Sequence, residues 1–261
     1  MLNVRPEAAR AMKRVYQPSS FNIRHYEAVS FSGCGALNFY QTGVGYGLQT
    51  SGLTHRLHFL GASAGGGLAF TMAAGLDARM VCATMASWIV SYGSGRLLRP
   101  SWAYEVAQRF TRHFVSPSTY ASAKGRFSLS ITQLSPLKNL RVGRFEGLDD
   151  LRAGLIASCF LPYPGKLHVE FRGRKVVDGG FTDNQPTRGT STLRVSPFWP
   201  DRRAKIRPPT AVHPSQALVV PTEAECWSLF NQGLLDCETW MGSKQHSLSW
   251  PLLSRREARA A

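Results

Sequence analysis

The chain has 261 residues, 43% of them hydrophobic, and a formal net charge of +15. That hydrophobic share excludes a disordered or fibrous protein and suffices for one domain-sized core, with no repeats, heptads or long low-complexity tracts. The five cysteines (Cys34, Cys82, Cys159, Cys226 and Cys237) form no close pairs, which excludes a dense disulfide scaffold and fits a reducing compartment.

Residues 1–26 read as a basic extension, expected to be disordered, with an organellar presequence as the alternative. Val29-Ser30-Phe31-Ser32 reads as a buried strand over 28–32, followed at once by Gly33-Cys34-Gly35 and a helix over 37–51. Leu57-His58-Phe59-Leu60 reads as the next strand, and helices follow over 64–76, 78–92 and 101–114. Residues 57–76 carry no Asp, Glu, Lys or Arg, so hydropathy alone would read them as a membrane span. Their strand-and-turn start favours a helix buried inside the fold instead. Strands are expected near 127–133, 167–171, 174–177 and 192–196, and helices near 148–159 and 223–235. Strands alternating with helices predict an α/β fold, a three-layer α/β/α sandwich around a central, mostly parallel sheet. The expected organisation is an extension over 1–26, a catalytic domain over 27–200, and a basic loop and helical tail over 201–261.

Three strand ends carry the chemistry. Gly61-Ala62-Ser63-Ala64-Gly65 has the form G-x-S-x-G between a strand and an apolar helix, the context that makes a serine a nucleophile. Gly61 and Gly65 remove the Cβ atoms that would clash in so sharp a turn. Gly33-Cys34-Gly35 after its strand can bring backbone N–H groups close to a substrate oxygen. Asp178-Gly179-Gly180 places an aspartate at the end of a third strand. Each alone reads more readily as an ordinary tight turn, but ligands in such sheets bind beyond the carboxyl ends of strands, where all three converge.

With these residues the chain resembles the patatin-like phospholipase family, from about residue 27 to about residue 200, and in detail its small adiponutrin-type members. Ser32-Gly33-Cys34-Gly35 with Tyr40 is similar to their oxyanion segment, and Phe59-Leu60-Gly61-Ala62-Ser63-Ala64-Gly65 to their elbow. Ala157-Ser158-Cys159-Phe160-Leu161-Pro162, and Asp178-Gly179-Gly180 with Asn184 and Pro186, resemble two further family segments. The resemblance implies a patatin-like fold and a catalytic dyad without histidine, in which Ser63 is the nucleophile and Asp178 the base. It implies an oxyanion hole from the N–H groups of Gly33, Cys34, Gly35 and Ala64, supported by Gly61, Gly65, Gly179 and Gly180. It also implies ester hydrolysis through an acyl-enzyme on acylglycerols, phospholipids or retinyl esters, acyl transfer as a side activity, and no cofactor or metal. The family pattern closes its glycine loop with a third glycine where this chain has Asn38, a residue that tolerates left-handed backbone better than most. A catalytically weak lipid-binding or regulatory protein is the alternative that Asn38 raises.

A Ser-His-Asp triad through His213 is the competing mechanism, but the prolines around His213 read as an extended loop. Cys34 lacks a partner base and reads as a packing residue of its loop. The positive charge, with no nucleic-acid-binding motif, suits anionic lipid headgroups better than nucleic acid. Peripheral contact with a membrane or lipid droplet is expected, and the expected location is intracellular, either cytoplasmic or peripheral on such a surface. Trp102, Val106, Phe110 and Phe114 recur at four-residue spacing, as on a helix lying on lipid or one packed on a core.

Overall fold

The computed structural model describes residues 25–52, 54–198, 201–210 and 212–242; the basic extension up to residue 24 and the basic end of the chain lie outside them. The fold is α/β, a seven-stranded mixed sheet with helices packed around it. Its centre is a parallel block in the order β7(Thr192–Val195), β1(Ala28–Phe31), β2(His58–Ala62), β3(Phe127–Leu134). β1 is buried along its whole length, as expected of a parallel strand covered on both faces. Beyond β3 the pairing turns antiparallel, with β4(Leu137–Val142) and β6(Arg174–Asp178) on β3, and β5(Val169–Phe171) on β6. β5 therefore runs with the central block, so the sheet is mostly parallel in direction, with β4 and β6 opposed.

The registers around β3 fix where the site forms. Leu129 and Ser130 pair with β2 on one side and with β4 on the other. Ile131 to Gln133 pair with β4 and with β6. β2 and β6 therefore share one edge of β3 and run toward each other. Ala62 ends β2 opposite Ser130, and Asp178 ends β6 opposite Ile131, the very next residue.

The helices are α1(Asn38–Thr50), α2(Ala64–Ala74), α3(Ala78–Val90), α4(Pro100–Phe114), α5(Pro117–Ala123), α6(Leu148–Ser158), the short α7(Gly180–Asp183) and α8(Glu223–Trp240). Residues 57–76 are β2, a turn and α2, and among the described residues no helix is long and apolar enough to cross a membrane. The strands and long helices expected from the sequence are present within a few residues. β4, α5 and α7 were not anticipated. β4 has a mostly exposed or half-exposed face with Lys138, Asn139 and Arg141, so it lacks the apolar signature of a buried strand.

The sheet and helices close over one principal core, in which Phe70 meets Phe110 and Phe127 edge-on at centroid distances of 6.3 and 5.7 Å. The segment after residue 200 packs into the same body. Ile206 is buried and bridges Val195 of β7, and α8 lies along α1. These two helices touch backbone to backbone. A Cβ on Gly43 would fall 1.9 Å from the carbonyl oxygen of Phe230, and one on Gly233 1.9 Å from that of Tyr40. The Tyr40 hydroxyl donates to Asp236 Oδ2 at 2.7 Å across the same interface. Gly233→Ala must force the helices apart and is expected to cost about 1–3 kcal/mol in thermal or urea unfolding. Gly67→Ala, where the nearest atom to the new Cβ is 3.8 Å away, is the control and should not destabilise.

Candidate active site

Ser63 occupies the single-residue turn between β2 and α2. Its φ of 53° and ψ of −132° are strained for a residue with a side chain. The turn is possible because its flanks carry no side chains: a Cβ on Gly61 would lie 2.2 Å from the carbonyl oxygen of Gly65, and one on Gly65 2.4 Å from that of Phe31. The Ser63 N–H donates to the carbonyl oxygen of Ser158 at 3.0 Å and lies 3.1 Å from the Ser158 hydroxyl. Ser158 is buried at the end of α6; its hydroxyl donates to the carbonyl of Ser130, and its own carbonyl accepts the Gly179 N–H at 3.2 Å. One residue thus ties the serine turn, the Asp-Gly-Gly turn and β3 together. The sequence singled it out only as part of a family segment.

Asp178 is 3% exposed. Oδ1 accepts the Gly180 N–H at 2.7 Å, and the Asp178 N–H donates to the carbonyl of Phe160. Oδ2 is buried without a hydrogen-bond partner among the described residues. Burial pushes the carboxyl from its ordinary value of 3.8 up to about 6, while the nearby Ser63 hydroxyl and the Gly180 N–H oppose the rise. No Ser63–Asp178 hydrogen bond of normal geometry is formed. Catalytic contacts of this kind often tighten only around substrate.

The glycine loop departs in one detail from the expected oxyanion hole. The Gly33 N–H donates to the carbonyl of Asn184 at 3.1 Å, and Asn184 Nδ2 donates back to the Gly33 carbonyl at 3.1 Å. Gly33 is a fixed anchor whose N–H is already engaged. The N–H groups of Cys34, Gly35 and Ala64 have no acceptor among the described residues. Gly35 has a φ of 52°, which suits glycine.

Asn38 opens α1 in ordinary right-handed geometry, φ −61° and ψ −21°, so nothing at this position requires glycine. The loop is held instead by Gln41, a residue the sequence did not single out. Its buried amide accepts the Ser32 N–H at 2.9 Å and donates to the Ser32 carbonyl at 2.8 Å, to Cys34 Sγ at 2.9 Å and to Asn38 Oδ1 at 3.2 Å. The only sequence signal was a polar residue at a position that α1 buries. Cys34 is packed, and burial raises its thiol far above the ordinary range, which fits a loop residue rather than a nucleophile.

Ser63, Asp178 and the loop from Gly33 to Gly35 border one cavity of about 370 Å³. Its depth is apolar, with Phe39, Leu68, Val81, Met85, Val106 and Phe110 among its walls, and among the described residues no lysine, arginine or histidine lines it. Val106 and Phe110 belong to the spaced set on α4. Phe110 and Phe114 are buried, and Trp102 stacks on Tyr92 at 4.9 Å, so this stripe faces inward. His213 is outside the cavity, its Nδ1 bound to Ser215 Oγ at 2.8 Å.

Fold and site together define an α/β protein with a strained serine elbow opening, beside a buried aspartate, on an apolar cavity. The chain belongs to the patatin-like phospholipase family, whose model matches residues 29–190. It is 29% identical over 180 residues to the 1-acylglycerol-3-phosphate O-acyltransferase Pnpla3 of Mus musculus, covering 66% of this chain and 44% of that protein. It is 27% identical over 181 residues to the omega-hydroxyceramide transacylase of Mus musculus, covering 66% and 30%. Patatin-like phospholipase domain-containing protein 2 of Homo sapiens is 30% identical over 181 residues, covering 65% and 35%. The chain spans less than half the length of each of these relatives.

If Gln41 holds the glycine loop and Asn38 does not distort it, the two substitutions separate cleanly. Gln41→Ala should slow covalent labelling of Ser63 by an organophosphorus probe at least about tenfold, by loosening the oxyanion donors. Asn38→Gly should change that rate by less than about twofold.

Proposed function

We propose that this chain is a lipid acyl hydrolase or acyltransferase that works through Ser63 and Asp178. The observation that supports it best is the pairing of a strained serine with a buried carboxylate whose Oδ2 accepts no hydrogen bond, both at the head of an apolar cavity. Family membership supports the same reading.

In the proposed cycle Ser63 Oγ attacks the ester carbonyl carbon while its proton passes to Asp178. Charge develops on the carbonyl oxygen, and the N–H groups of Cys34, Gly35 and Ala64 receive it at the start of α2, where the helix dipole adds to them. Collapse breaks the ester C–O bond, and the alcohol leaves with the proton from Asp178. The acyl group then remains on Ser63. Water attacking the acyl-enzyme completes hydrolysis, and a second lipid's hydroxyl completes transfer, with Asp178 again taking the attacking proton. The names of the relatives, an O-acyltransferase and a transacylase, make transfer the natural companion of hydrolysis.

Among the described residues the walls hold no lysine, arginine or histidine to pair with a phosphate, which favours an uncharged acyl group there. A charged headgroup would stay at the mouth, and an acylglycerol or another neutral ester suits the interior. We place this activity at the surface of a membrane or lipid droplet inside the cell, where such esters reside.

A fluorophosphonate probe tests this reading on the intact protein. Labelling is expected at Ser63, absent in Ser63→Ala and reduced about a hundredfold or more in Asp178→Asn. Only the ionised carboxylate accepts a proton, so the labelling rate should rise with pH through about 6 and level off above it. A folded parent that is never labelled would remove the hydrolase reading and leave the lipid-binding alternative.

A further inference from the structure

The cavity is closed by a segment beyond the part of the chain matched by the family model, which ends at residue 190. Residues 212–221 cross beside the glycine loop and include the 3₁₀ turn Pro214–Leu218. The carbonyl oxygen of Ala217 lies 2.3 Å from where a Gly35 Cβ would stand. Ala217 is buried in a small cluster with Cys34 and Leu37, against which Phe198, Val212 and Leu229 pack. Ala217 and Leu218 both line the cavity.

This crossing segment is fastened along its length. The Ser215 N–H donates to His213 Nδ1 at its start. Further on, the Leu98 N–H donates to the Leu218 carbonyl at 2.6 Å, the Val220 N–H to the Arg96 carbonyl at 2.8 Å, and the Gly95 N–H to the Val220 carbonyl at 2.8 Å. Thr222 and Glu225 then form a reciprocal cap that starts α8, the helix locked to α1 through Gly43 and Gly233. Three partners hold the backbone in place: the glycine loop, the strand-like segment 95–98 and α8, while the His213 turn stiffens the segment from within. A segment fixed this way is a wall rather than a mobile flap.

Within that wall Leu218 is the residue free to act on substrate. It is 46% exposed and lines the cavity, which places it at the mouth together with Phe181, 63% exposed and also a lining residue. Leu98, joined to Leu218 through their backbones, lines the cavity beside it.

We infer that residues 212–221 form a built-in wall of the acyl site, in which Ala217 positions the oxyanion loop and Leu218 sets how bulky an alcohol group the mouth admits. The inference deepens the acyl-transfer reading and rests on the cavity beside Ser63 being the acyl site. Its test does not require turnover. In a Ser63→Ala background, binding of methyl laurate and glyceryl monolaurate is measured by displacement of a polarity-sensitive dye, for Leu218 itself, Leu218→Ala and Leu218→Trp. Because Leu218 is half exposed, both substitutions leave the core intact. The glyceryl-to-methyl ester affinity ratio is expected to fall about tenfold in Leu218→Trp and to move the opposite way in Leu218→Ala, the scale on which a pocket discriminates a small change in the size of a group. A ratio that stays the same in all three proteins, or failure of the Leu218 protein to bind either ester, overturns the inference. Fluorophosphonate labelling of the Ser63 parent, run alongside, keeps the two claims apart. Esters bound with the expected ratios by a protein whose serine is never labelled would support the wall and sink the acyl-transfer reading.

Discussion

The site depends on two strands that run toward each other along one edge of β3. β2 is parallel to β3 and β6 antiparallel to it, so their carboxyl ends meet at adjacent positions, opposite Ser130 and Ile131. A junction of this kind interrupts the ladder inside the protein, where an unpaired backbone N–H is costly. Ser158 resolves the interruption, because its carbonyl accepts the N–H groups of both Ser63 and Gly179. The backbone is satisfied from α6, and the side chains at the two strand ends are left facing the cavity.

Both of those residues carry a cost that the rest of the fold offsets. Ser63 is held in a strained conformation by the close approach of α2 to β1 at Gly65. Asp178 is held where its charge is disfavoured. Its folded value, about 6 against 3.8, lies above the unfolded one. Its contribution to stability is therefore complete below the unfolded value and is lost as pH rises through about 6, a difference on the order of 3 kcal/mol. The pH range in which the carboxylate is ionised is thus the range in which it destabilises the fold. Aromatic packing around Phe70 and the glycine contacts between α1 and α8 supply the compensating rigidity.

The sequence made the central strands and the long helices legible because burial on a parallel sheet leaves unbroken apolar runs, and because glycine punctuates their ends. Ser63 and Asp178 were legible for the same reason, as polar residues at the ends of such runs. β4 was not, since an outer strand with charged residues has no apolar run to show. Gln41 was not, because a buried amide acquires meaning only through the backbone groups it reaches. Asn38 drew attention through its side chain, yet its backbone lies in the ordinary helical region and its amide is one more point of attachment for Gln41. Gly33 was read as an oxyanion donor from its place in the motif, but its N–H is taken by a carbonyl of Asn184, over a hundred residues away in the chain.

These misreadings share a cause. An oxyanion hole stabilises charge only if its donors are fixed before the charge appears, because donors that must reorient forfeit most of what they contribute. The glycines allow the loop its shape but cannot hold it, since a glycine-rich segment is the most permissive backbone available. Rigidity has to come from outside the motif, and here it comes from three places, one nearby and two distant in the chain: Gln41 at Ser32 and Cys34, Asn184 at the first glycine, and finally Ala217 against Gly35. The last of these lies beyond residues 29–190, which the family model matches, so the glycine motif and one of the contacts that fix its shape sit in separate parts of the chain.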